Sequence, residues 1–136
     1  MLKEIIKWRP LLIGALITVT SYMISYLSGE SVYFASFLLG GIIVGFMIGN
    51  NLKNGAINGL ISGIIAGITV NIIYIIILTS QGYASYLGYV LSGLSIYIVM
   101  EVVVSAVGGV FGSVVRAEAL PSTEPVTKDE PVKNEN

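Results

Sequence analysis

Polar positions are sparse along most of this chain, and the apolar stretches between them set the fold. Four runs, at about residues 10–27, 32–49, 56–80 and 87–115, are almost continuously apolar. A helix that crosses a membrane needs about 20 mostly apolar residues, with a usable range of roughly 17–25. Each run reaches that length, so the pattern predicts an all-α polytopic membrane protein. The separators carry turn chemistry: SGES at 28–31, NNLKNG at 50–55 and QGYASY at 81–86. Connections this short join antiparallel neighbours, which predicts four transmembrane helices in an up-down-up-down bundle. Pro10 suits the first turn of the first span, where its missing N–H is not needed.

Glycine interrupts the second and third runs at a fixed interval. Gly41, Gly45 and Gly49 lie in one series and Gly55, Gly59, Gly63 and Gly67 in the next, each four residues after the last. Glycine in a helix interior costs about 1 kcal/mol relative to alanine, so a repeated stripe needs a compensating gain. Residues four apart share a helix face. In lipid, helices associate through close van der Waals approach, which small-xxx-small stripes permit. The two series flank one short loop, predicting a glycine-zipper hairpin between the second and third spans, backbone against backbone. A subunit interface or a pore lining is the alternative use of such a stripe. The fourth run repeats the theme more faintly with Gly108, Gly109 and Gly112.

Composition agrees with the pattern. The 136 residues are 54% hydrophobic and 11% charged, against roughly 25% charged in soluble domains. Between Pro10 and Val115 only Glu30, Lys53 and Glu101 carry ionisable Asp, Glu, Lys or Arg side chains. Lys3, Lys7 and Arg9 precede the first span, Lys53 lies between the second and third, and Arg116 follows the fourth. Positive charge marks the cytoplasmic side of short flanking segments. Both termini are therefore expected in the cytoplasm, with the protein a multi-pass component of the cell membrane. All eight tyrosines then fall in the outer half, as interfacial aromatics do, and Trp8 marks the inner interface. The first run is long for a signal peptide and lacks a small-residue cleavage site, so it is expected to be retained. Residues 1–9 form a basic cytoplasmic N-terminus. Residues 116–136, rich in proline and charge, are expected to be a disordered cytoplasmic tail that identifies no partner.

One residue asks for chemistry. Glu101 sits near the centre of the fourth run, roughly 20 Å from either end at 1.5 Å rise per residue. A charged carboxylate at that depth costs about 2.5–3.5 kcal/mol on insertion scales. No Lys, Arg or His lies at a matching depth, so a neutral carboxyl is expected. Asn71 in the third run and Tyr97 and Ser105 on the Glu101 helix face are the expected companions, with Tyr74 near them. The preferred role is a buried hydrogen bond that fixes helix register, in a structural or interaction-type membrane protein packed through its glycines; the alternative is a small proton or monovalent-cation channel or transporter that uses Glu101. A net charge of −1 without a basic cluster points away from nucleic acid. The chain has neither cysteine nor histidine, no nucleophile–base pair and no phosphate loop. No enzymatic activity, cofactor or metal is therefore expected, and the expected partners are the lipid bilayer and further copies of the chain.

Three stretches resemble a known family. They are WRPLLIG at the start of the first span, GGIIVGFMIGNNLKNGAINGLISGIIAGI through the hairpin, and GGVFGSVV at the end of the fourth. Together they resemble the small archaeal membrane proteins of the domain of unknown function 5518 family, over roughly residues 8–115. The resemblance implies four helices and an archaeal cell membrane. It supplies no activity and no functional residues.

Overall fold

The computed structural model describes residues 2–30, 32–49 and 51–120. Among these residues five α-helices follow one another: α1 (Leu2–Ile5), α2 (Trp8–Ser28), α3 (Tyr33–Ile48), α4 (Leu52–Ser80) and α5 (Leu87–Ala119), with a 3-10 turn at Ala84–Tyr86. No strand occurs among the described residues. The described part of the chain is thus all-helical, and α2, α4 and the helix from Ala84 to Ala119 are long and apolar enough to cross a membrane. The second expected span is shorter, at 16 residues in α3.

Local signals account for the helix ends. Gly29 closes α2 in the left-handed conformation, with φ of 70° and its N–H on the carbonyls of Ser25 and Tyr26. The Ser25 hydroxyl donates to the Glu30 carbonyl at 2.6 Å, which fixes the turn into α3. Asn51 caps α4, its side chain accepting from the Asn54 N–H. This cap moves the start of α4 to Leu52, four residues before the expected boundary at 56. The NNLKNG segment is therefore mostly first turn rather than loop, and Gly55 is helical. At the other end, α5 continues to Ala119 and absorbs the first residues expected in the tail; residues 121–136 lie outside the described residues.

Packing places α3 and α4 centrally, with α2 on one side of the pair and α5 on the other. The glycine stripes lie nearest a third helix rather than nearest each other as the hairpin reading expected. Both face α5. A Cβ on Gly41 would meet the Ser105 carbonyl, and one on Gly45 the Gly109 carbonyl. From α4, a Cβ on Gly55 would stand 2.6 Å from the Gly109 oxygen, one on Gly59 2.6 Å from the Ser105 oxygen, and one on Gly63 2.7 Å from the Ser105 Cβ. Helix α5 thus lays its Ser105–Gly109–Ser113 face into a seam lined by two glycine stripes. A stripe of small residues states how near a neighbour comes, not which neighbour comes. Gly49 leaves the series altogether: its φ is 117° and a Cβ there would meet no atom within 4 Å, so it ends α3 rather than packing.

Hydrogen bonds lock the seam. Ser105 Oγ donates to the Gly59 carbonyl at 2.8 Å, and Ser113 Oγ to the Gly45 carbonyl at 3.2 Å. At the bundle end that holds the N-terminus, Asn58 is fully buried. Its Nδ2 donates to the Ile5 carbonyl at 2.8 Å, and its Oδ1 accepts from the Lys7 N–H at 3.2 Å. Arg116 Nη1 donates to the Phe46 carbonyl at 2.7 Å, placing a cation at the C-terminal end of α3 where the helix dipole favours one.

Candidate functional site: a buried carboxyl beneath an aromatic cavity

Beyond Glu101 the bundle opens. On α5 every buried residue lies at Glu101 or later, and on α4 none follows Asn71. The two helices therefore pack closely over one half of their length and part over the other. Where they part, a cavity of about 330 Å³ forms. Six aromatic side chains line it: Tyr22 from α2, Tyr33 and Phe34 from α3, Tyr74 from α4, and Tyr89 and Tyr97 from α5. Two ring pairs brace the walls. Tyr22 and Tyr33 lie 5.4 Å apart between centroids, and Phe34 and Tyr97 stack at 6.4 Å with 23° between planes.

Glu101 and Asn71 also line this cavity, where the two helices separate. Glu101 is 6% exposed and Asn71 7%, so both are reached only through the cavity. Asn71 Nδ2 donates to Glu101 Oε2 at 3.1 Å and to the Gly67 carbonyl at 2.7 Å. Glu101 Oε1 has no hydrogen-bond partner among the described residues. No buried side-chain oxygen or nitrogen among them lacks a partner, so Oε1 is open to the cavity. Gly67 makes room for the pair: a Cβ there would stand 3.0 Å from Glu101 Oε2. This glycine serves the carboxyl rather than the backbone approach that the other three α4 glycines serve.

The expected companions divide. Asn71 bonds to Glu101. Tyr97 lines the cavity but is 56% exposed and stacks on Phe34. Ser105 does not line it; its hydroxyl is committed to the Gly59 carbonyl in the seam. The seam closes the space on the far side of Glu101, so the carboxyl communicates with one end of the bundle. Sequence reasoning missed the aromatic walls as a unit. The tyrosines read as interfacial anchors, and nothing in their spacing announced that α2, α3, α4 and α5 would bring them round one space. Asn58 was missed too, although a lone amide inside an apolar run was its signal.

The model of a family of unknown function, DUF5518, matches residues 8–115. The chain belongs to this family. No curated protein and no solved structure matches the chain. For this DUF5518 protein the matched span covers α2 through most of α5, and thus the whole of the cavity and seam. Among the described residues no three acidic side chains gather into a metal-binding group, and Glu101 is the one carboxyl in the cavity lining.

Proposed function

We propose that this DUF5518 protein is a four-span component of an archaeal cell membrane that binds a proton or a monovalent cation at Glu101. The observation that carries the reading is the carboxyl itself: buried, held through one oxygen by Asn71, and open through the other to a cavity. An ionisable group inside a membrane domain is expensive, and facing a cavity is one of the few arrangements that lets it exchange ions. In this reading α3 supplies the fourth crossing. Its 16 residues give about 24 Å of helix, which a bilayer accommodates by local thinning.

The orientation follows the positive-inside expectation. Lys7 and Arg116 are tied to the same end of the bundle, through Asn58 and the end of α3, and Lys53 lies in the first turn of α4 at that end. That end faces the cytoplasm, with both termini, and the cavity opens outward. The closed seam means that one copy in this form is open on one side alone. Flux therefore requires the seam to loosen or several copies to enclose a path. Proton and sodium flux into reconstituted liposomes tests the reading. Flux present in the wild type and lost in Glu101→Gln supports it; equal flux in both contradicts it.

A second reading has its own observation. The three-helix seam, with both glycine stripes on α5, suits a rigid interaction scaffold in which the Asn71–Glu101 bond only fixes register. Absence of flux from a folded protein, with the Glu101→Gln variant equally folded, favours the scaffold.

A further inference from the structure

The cavity walls bear on which cation Glu101 would hold. An alkali cation asks for several oxygen ligands in a compact shell, as hard cations do. The oxygens that line this cavity are those of the Glu101 carboxyl, the Asn71 amide and the hydroxyls of Tyr22, Tyr33, Tyr74, Tyr89 and Tyr97, which are spread over four helices. What the space offers in quantity is aromatic surface, from six rings on four helices. Ring faces carry negative quadrupole charge and attract organic cations, with quaternary ammonium groups held in aromatic cages as the recurring use. The volume of about 330 Å³ falls at the small end of ligand pockets, which span roughly 300–1,000 Å³. No Lys or Arg lines it to repel a cation.

Resting on the cation reading of Glu101, we infer that the cavity is a binding site for an organic ammonium group. The alkylammonium head sits among Tyr22, Tyr33, Tyr74 and Tyr97, and its charge is balanced by the Glu101 carboxylate. Ammonium of this kind comes either from a free amine or from the headgroup of a membrane lipid, and the two share one chemistry. Binding alone is inferred, with no bond made or broken.

Equilibrium binding of radiolabelled choline to the full chain in phosphatidylglycerol nanodiscs tests this, with 3,3-dimethylbutanol as the uncharged isostere. The expected result is saturable choline binding, weakened about tenfold or more in Glu101→Gln and in Tyr97→Leu, and not displaced by the isostere. Tyr97 is more than half exposed, so its replacement leaves the seam packing intact should Glu101→Gln fold poorly. Loss of choline binding when phosphatidylcholine is added to the nanodiscs supports the site with the lipid headgroup as its source; unchanged binding supports a free amine. Choline binding that equals binding of the isostere, or that survives both substitutions, overturns the inference. Glu101-dependent sodium or proton flux without choline binding overturns it while leaving the cation reading in place. Absence of choline binding together with a Glu101 carboxyl whose infrared bands ignore protons and sodium removes both.

Discussion

Substituting alanine at Gly109 tests the seam where α5 meets the backbone of α4. A Cβ there would meet the Gly55 carbonyl oxygen, stand 2.9 Å from that carbonyl carbon and 3.1 Å from the Gly59 Cα. All three atoms are helix backbone, so no side chain can swing aside and α4 and α5 must separate. Overpacking of this kind costs about 1–3 kcal/mol. Separation also stretches the Ser105–Gly59 hydrogen bond, one of a class that averages about 0.6 kcal/mol between helices in membranes. Alanine returns about 1 kcal/mol of helix propensity. The net expectation is a loss of about 0.5–2.5 kcal/mol. Gly93 on the same helix is the control. A Cβ there meets no atom within 4 Å, so Gly93→Ala keeps the propensity gain of roughly 0.5–1 kcal/mol and stabilises. Reversible unfolding in mixed micelles titrated with dodecyl sulfate, followed by circular dichroism, reads both. Shifts of the two variants in the same direction would refute the seam.

Four further substitutions probe other parts of the bundle. Asn71→Ala removes the donor to Glu101 Oε2 and is expected to cost about 1–3 kcal/mol in the same unfolding assay; a neutral result would mean that the pair does not hold α4 to α5. Asn58→Leu frees the Lys7 amide and the Ile5 carbonyl, so amide exchange at Lys7 is expected to accelerate while exchange in α4 near Gly63 stays slow. Because the chain has no cysteine, single-cysteine variants report sidedness directly. A membrane-impermeant thiol reagent added outside is expected to label Gln81→Cys in whole cells and to reach Lys53→Cys only after permeabilisation; the reverse pattern inverts the orientation.

The helices were legible in the sequence because each apolar run is long and its separators carry glycine, asparagine and serine. Boundaries were less so. Asn51 as an N-cap was a readable signal, yet the polar run around it looked like a loop, and the first turn of α4 went with it. The glycine stripes announced close approach, but the choice of α5 over each other depends on Ser105, Gly109 and Ser113 offering a matching face from 46 or more residues away in the chain. For the site, Glu101 and Asn71 were visible as isolated polar groups at one depth. The cavity was not, because it comes from the parting of α4 and α5, a property of where packing stops. Gly67 showed the limit of pattern reading most clearly: it continues a packing stripe in sequence and makes space for a carboxyl in the fold.

Infrared difference spectroscopy on the reconstituted protein tests the exchangeable carboxyl most directly. Adding a bound cation to protein at neutral pH is expected to remove the carbonyl stretch of a protonated carboxyl and raise a carboxylate band, with both changes absent in Glu101→Gln. A Glu101 carboxyl whose bands ignore protons, sodium and choline alike would show a sealed structural hydrogen bond and contradict the cation site.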